Sequence, residues 1–256
     1  MGDELESCGI KIKRLFMNWF TLLVLFFLIQ ISITHAQDLD VDKNLSGFLQ
    51  RYVENGRVDY AGIKHNPQEL KSRIVSFSNV KIETYQSWSE LEKLSYLINY
   101  YNLATIELVV ENYPIDSIKD IGNWLISTWS IKFITLFNEK ISLDNLEHDI
   151  IRKQFNEPRI HLALVCAAKG CPPLRSESYR AEILNEQLEN QAKNYLSSSN
   201  GLIIDEQKQT IFISSIFKWY AEDFESVPDF IQKYTSTSIK TYSIRYLDYD
   251  WSLNEK

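Results

Sequence analysis

The longest regular signal in the chain is SELEKLSYLINYYNLATIELVVEN, residues 89–112. Leu91, Leu94, Leu97, Ile98, Tyr101, Thr105, Leu108 and Val109 fall in one stripe at helical spacing. Leu103, Ile106 and Val110 form a second stripe on the opposite side. A helix apolar on two sides belongs in the middle of a domain. The amides of Asn99 and Asn102, beside or within the second stripe, then need hydrogen-bond partners inside the protein. They serve either as structural amides holding a loop or as the polar wall of a pocket.

Weaker amphipathic patterns at 38–53 and 66–79 predict short helices. Residues 131–137 and 140–142 read as a hairpin, followed by a helix from an N-capping Ser142 to about Phe155. On that helix Leu143, Leu146, Glu147, Ile150 and Ile151 share a face, so Glu147 points toward the core and His148 points well off the stripe. A carboxylate so placed needs a cation or hydrogen-bond donors. Arg159 is the nearest cation in sequence, and His161 follows on the same side of an extended chain. IHLALVC, residues 160–166, has the length and β-branching of a buried strand. A helix over 176–196, a turn at 197–201, a hairpin in LIIDEQKQTIFIS and a short aromatic helix carrying Asp223 come next. Tyr242, Ile244 and Tyr246 then alternate like a strand. Helices and hairpins with little βαβ rhythm predict an α+β fold. The expected architecture is a single compact domain with a buried central helix and a small, mostly antiparallel sheet.

Hydrophobic residues make up 45% of the 256 positions and aromatics 13%, enough for a sizeable core. A net charge of −7 and a pI near 5.2 argue against nucleic acid or an anionic membrane surface as partner. Ahead of the domain, Lys11, Lys13 and Arg14 precede the apolar stretch LFMNWFTLLVLFFLIQISI, residues 15–33, and then Thr34-His35-Ala36. This reads as a signal peptide, residues 1–36, cleaved before Gln37 to leave one globular domain, 37–256, in the periplasm or secreted. The alternative is a membrane anchor formed by an uncleaved 15–33. Cleavage removes Cys8 and leaves Cys166 and Cys171, an even pair in an oxidising compartment.

Those cysteines and His161 lie together in RIHLALVCAAKGCPPLR, residues 159–175. A nucleophilic thiol needs a base within reach. As a strand, IHLALVC sets the Cα atoms of His161 and Cys166 about 16 Å apart with their side chains on opposite faces. A turn through Ala167-Ala168-Lys169-Gly170 instead brings Cys171 back to Cys166. Gly170 can supply the angles of the reversal, and Pro172 and Pro173 end regular structure. A Cys166–Cys171 disulfide is the favoured reading, with a catalytic thiol second. A metal would need His148 or His161 with both thiolates, and Cys-x4-Cys is loose for zinc, so no metal is expected. The GxSxG elbow, the phosphate-binding Walker loop and the GxGxxG turn are absent, and no cofactor is evident. Glu147 could pair with Asp223 or Asp248 for acid–base chemistry only if the fold brings them together.

The blocks LINYYNLATI, ISLDNLEHDIIR, PRIHLALVCAAKGCPPLR, FKWYAEDF and YLDYDWSLN resemble the family called domain of unknown function 547, in that family's order. By that resemblance, its characteristic polar positions fall on Asn99, Asn102, Glu147, His148, Arg159, His161, Cys166, Cys171, Arg175 and Asp223. The resemblance implies no reaction. Two readings follow from the residues. The first is an exported thiol- or His/Glu-dependent enzyme of acyl- or amide-transfer or hydrolysis type. Glu147, His161 and one of Cys166 and Cys171 would do its chemistry, with Asn99, Asn102, His148, Arg159, Arg175 and Asp223 around them. The second is a non-catalytic extracytoplasmic binding module clasped by the disulfide. The partner in either case is an unidentified small molecule or peptide.

Overall fold

The computed structural model describes residues 45–256, which form one compact unit. The expected signal peptide, its expected cleavage site before Gln37 and the first residues of the helix expected over 38–53 lie outside the described residues.

Its centre is the helix read most clearly from the sequence. Ser89 opens it with a capping box: the Ser89 hydroxyl accepts from the Glu92 amide, and the Glu92 carboxylate accepts from the Ser89 amide. Glu90–Asn112 then runs through the domain with both apolar stripes covered. Leu91, in the first turn, departs from its stripe and is exposed.

The other elements pack around this helix in chain order. Helix α1 (45–52) leads into the hairpin β1 (Val53–Glu54) and β2 (Arg57–Val58), one residue earlier than the 38–53 pattern implied. Helices α2 (Tyr60–His65), α3 (Gln68–Ser78) and α4 (Ile82–Ser87) precede the central helix, α5. Strands β3 (Ile134–Leu136) and β4 (Glu139–Ile141) form the expected hairpin. Its turn uses Phe137 and Asn138, both left-handed, as a two-residue hairpin turn of this twist requires. Ser142 then caps the next helix through the Asn145 amide. Asn145–Ile151 is wound as a π-helix, continuing into α6 (Arg152–Gln154). Helix α7 (Leu184–Leu196) starts later than the pattern at 176–196 suggested, after a 3₁₀ turn at Ala181–Ile183.

Strands β5 (Leu202–Asp205) and β6 (Thr210–Ile213) pair antiparallel, and β7 (Ser243–Tyr246) joins β6 in parallel. Between them lie α8 (Ile216–Trp219) and α9 (Val227–Gln232). The fold is α+β, with strands gathered in small sheets rather than one. A second core, built on Leu162, Ile211, Ile213, Phe217 and Ile231, underlies the three-stranded sheet.

One predicted strand does not form. IHLALVC carries a 3₁₀ helix, Pro158–Leu162, and then an irregular buried turn. Pro158 at the first helical position and the Glu157 carboxylate capping the Arg159 amide favour a helical start. An apolar run of this length does not distinguish strand from buried helix. The run is nonetheless buried from Ile160 through Val165.

The C-terminal segment laces distant parts of the chain together. Backbone bonds join Asn254 to Val58 and Ala167, Leu253 to Asp116, Ser252 to Lys169 and Asp250 to Gly170. Gly170 was expected to turn the chain, but the left-handed residue of that loop is Ala167, at φ 57°. Gly170 is needed for close approach: a Cβ there would sit 2.9 Å from the Asp250 amide nitrogen.

Candidate functional site

A cleft of about 190 Å³ opens where the π-helix, the 3₁₀ segment, the cysteine loop, α8 and the C-terminal segment meet. Glu147, His148, His161, Cys166 and Cys171 all line it. Its walls are aromatic, and the rings of Trp129, Trp219, Tyr249 and Trp251 pack on one another at centroid distances from 4.8 to 5.7 Å.

The π-helix explains why Glu147 and His148 share this cleft. A π turn holds more residues than an α turn and narrows the angle between neighbours. Glu147 is buried in the cleft floor and His148 sits at its half-exposed edge. In a regular α-helix His148 would point off the stripe, as the sequence implied.

Behind the floor runs a chain of charged groups. Arg152 grips Asp223 with two bonds, Nε to Oδ2 at 2.6 Å and Nη2 to Oδ1 at 2.7 Å. Asp223 Oδ2 accepts from His161 Nε2 at 2.6 Å. His161 Nδ1 faces Glu147 Oε1 at 3.6 Å and has no hydrogen-bond partner. The phenols of Tyr101 and Tyr220 feel the Glu147 charge as well. Tyr220 also stacks on the His161 ring at 3.8 Å between centroids. The His161 side chain is 0% exposed, so its position is fixed on every side.

The electrostatics follow from these contacts. Burial pushes the Glu147 carboxyl up. The neighbouring His161 imidazole, His148 and the Tyr220 hydroxyl outweigh it and leave Glu147 below the usual carboxylate range. The Arg152 guanidinium, followed by His161, holds Asp223 below that range as well. Desolvation, then the Glu147 charge, raises the Tyr101 and Tyr220 hydroxyls well above the usual phenol range. Glu147 is therefore an ionised carboxylate facing neutral phenols in a poorly hydrated place. Arg152 also fixes a tautomer. Its Nη1 lies 2.9 Å from His148 Nδ1, and a guanidinium only donates, so the His148 proton sits on Nε2.

Cys166 and Cys171 lie at disulfide-bonding distance, with Cα atoms 6.2 Å apart. Cys166 Sγ also lies 3.2 Å from the Tyr249 hydroxyl. The strand geometry that separated His161 from Cys166 does not hold, because the chain turns between them and both face one cleft.

The remaining sequence candidates sit elsewhere. Arg159 does not meet Glu147: it bonds Glu157 at 2.8 and 2.5 Å and reaches Asn185 and Glu189. Arg175 pairs with Glu177 and Asn190 beside the Tyr179 ring. Asn99 and Asn102 are two-point backbone clamps. Asn99 bonds the carbonyl and amide of Tyr179, and Asn102 bonds the Ala163 carbonyl at 2.9 Å and the Val165 amide at 2.8 Å. Asn102 thereby holds the segment that carries His161 and Cys166. Asp248 lies outside the cleft, although its neighbour Tyr249 lines it. Sequence reasoning passed over Arg152, Tyr101, Tyr220 and the aromatic wall. Arg152 had a readable signal, since it follows His148 by four positions on one helix.

Fold and site together define a small α+β domain in which a guanidinium–carboxylate–imidazole–carboxylate chain ends in an aromatic cleft beside a cysteine pair. The family model described as "Protein of unknown function, DUF547" matches residues 85–196, which supports recognising the chain as a member of that family. The matched stretch carries Tyr101, Glu147, His148, Arg152, His161 and both cysteines, while Tyr220, Asp223, Tyr249 and Trp251 lie beyond it. No curated protein and no solved structure matches the chain.

Proposed function

We propose that this is an extracytoplasmic enzyme of hydrolytic or acyl-transfer type in which Glu147 is the catalytic base. The observation that carries the reading is the placement of His161, with one ring nitrogen bonded to Asp223 and the other facing Glu147 at 3.6 Å. Both nitrogens are directed at carboxylates and the ring is buried, so His161 is a positioning residue, with Asp223 and Arg152 behind it. A buried ionic chain of this kind is costly, and such groups concentrate at functional sites.

In hydrolysis of an ester or amide, Glu147 takes a proton from a water while the water oxygen attacks the carbonyl carbon. The tetrahedral oxyanion accepts a hydrogen bond from His148 Nε2–H. The bond to the leaving oxygen or nitrogen then breaks, and the leaving group takes the proton from Glu147. The cysteines, tied to each other, support the loop of the cleft wall rather than attack. Compartment enters on the same footing: a disulfide beside the cleft and the signal-like leader both fit an oxidising location.

Turnover of a panel of chromogenic esters and anilides by purified protein tests this reading. Glu147→Gln should lower kcat by roughly 10²–10⁴-fold, the range of general-base catalysis. The Cys166→Ser/Cys171→Ser double variant should keep most of the activity. Loss of activity on Cys→Ser with Glu147→Gln active would move the chemistry to a thiol.

The binding-module reading is favoured by one observation, the complete burial of His161. Saturable binding of a panel compound, without turnover and unchanged by Glu147→Gln, would establish it instead.

A further inference from the structure

The loop between Ile121 and Ile131, IGNWLISTWSI, contains no Asp, Glu, Lys, Arg or His in a chain that is 24% charged. At its tip three consecutive apolar side chains stand in solvent: Trp124 is 91% exposed, Leu125 70% and Ile126 49%. Exposed single hydrophobics are ordinary, but a contiguous run on a convex tip marks a surface that contacts something.

The tip is built to hold this presentation. Asn123 Oδ1 accepts from the Leu125 and Ile126 amides at 2.8 and 2.9 Å, and the Asn123 amide bonds back to the Ile126 carbonyl. Thr128 Oγ1 ties the base of the loop to the Ile118 carbonyl and the Gly122 amide. Gly122 is required there, because a Cβ would lie 2.7 Å from the Ile126 carbonyl oxygen. The Gly122, Asn123, Leu125 and Ile126 amides thus find acceptors within the loop, and the apolar side chains are left to project.

We propose that Trp124, Leu125 and Ile126 insert into the interfacial region of a lipid bilayer. Trp beside branched aliphatics is the chemistry that partitions to the headgroup–acyl boundary. The absence of charge from the whole loop is what hydrocarbon demands, since a charged side chain there is expensive. A tip projecting from the surface suits a deformable bilayer, whereas a protein partner would need a matching groove. The sequence supplies a second, independent pointer. The apolar stretch 15–33 is nearly membrane-length and ends twelve positions before Leu45, so a chain that keeps it uncleaved would be tethered at a bilayer. With a net charge of −7 the contact is hydrophobic, so zwitterionic lipid suffices. Ser127 and Trp129, on the same loop, line the cleft, so insertion seats the cleft mouth at the membrane surface. The contact stands independently of the chemistry assigned to Glu147.

The test uses the full chain in phosphatidylcholine vesicles, with lipid brominated on its acyl chains as quencher. Wild type and Trp124→Phe carry the same N-terminal stretch, so the difference in their emission reports Trp124 alone. Bromolipid should quench roughly half or more of that component, as for a residue at the interface. Equal fractional quenching in the two proteins, with aqueous iodide removing the Trp124 component instead, would overturn the proposal. So would a dimer in sedimentation that Trp124→Asp/Leu125→Asp dissolves, which would assign the tip to a second copy.

Discussion

Asp223 is the residue on which the site's charge chain turns, since it accepts from both Arg152 and His161. Replacing it with Asn removes a charge-assisted acceptor from each neighbour and should cost about 2 kcal/mol, the scale of a hydrogen bond to a charged group. Denaturant midpoints at neutral pH measure this. The pH dependence has a definite sign. Asp223 and Glu147 are both held below the usual carboxylate range in the folded protein. The stability they contribute is therefore fully present above their unfolded value of about 4 and is lost as pH falls through the lower folded values. Wild type should lose stability more steeply than Asp223→Asn on the acid side of about pH 4. Parallel curves would show that Asp223 is not coupled to its neighbours.

At the scale of elements, the π-helix and the 3₁₀ segment do what regular structure would not. The first swings His148 into the cleft beside Glu147, and the second carries His161 and turns the chain to Cys166. Asn102 holds the second in place from the central helix. Asn102→Ala leaves a buried carbonyl and amide unpaired and should cost about 3 kcal/mol. Asn99→Ala strips two bonds from Tyr179 and should cost a similar amount. The two differ in effect on the cleft. Asn102→Ala should perturb the His161 ring resonances and ligand binding, and Asn99→Ala should leave both unchanged. Equal perturbation by the two would mean that the clamps act on the fold as a whole. Here the limits of sequence are concrete. The spacing of Leu94, Leu97, Ile98 and Tyr101 was enough to place the central helix, whereas its Ser89–Glu92 capping box came only from the structure. IHLALVC was read as buried but given the wrong backbone, because burial on all sides erases the periodicity that separates strand from helix.

Across the whole molecule, the cysteine pair and the C-terminal segment join parts of the chain far apart in sequence. The Cys166–Cys171 loop is short, so opening it through Cys166→Ser/Cys171→Ser should cost about 2 kcal/mol on chain-entropy grounds. The fold should survive, since Asn254, Leu253, Ser252 and Asp250 still tie the loop's neighbours by backbone bonds. Thermal melting measures the loss, and thiol counting in denaturant should find neither Cys166 nor Cys171 free in protein from an oxidising compartment. Two free thiols would refute the bond.

The sequence by itself determined the α+β class, the buried central helix, the hairpins, the nearness of Cys166 to Cys171 and the burial of Glu147. Each follows from local spacing, capping chemistry or turn length, which act over a few residues. Only the tertiary structure decided that Glu147 answers to His161 rather than Arg159. The same is true of Arg152 as the chain's guanidinium and of Tyr249 and Trp251 as walls of the cleft. Those contacts join residues as far apart in sequence as Trp129 and Trp251, 122 positions, and no periodicity reaches that far. Their pairing is set by which elements pack together and by the need of each buried charge for a partner.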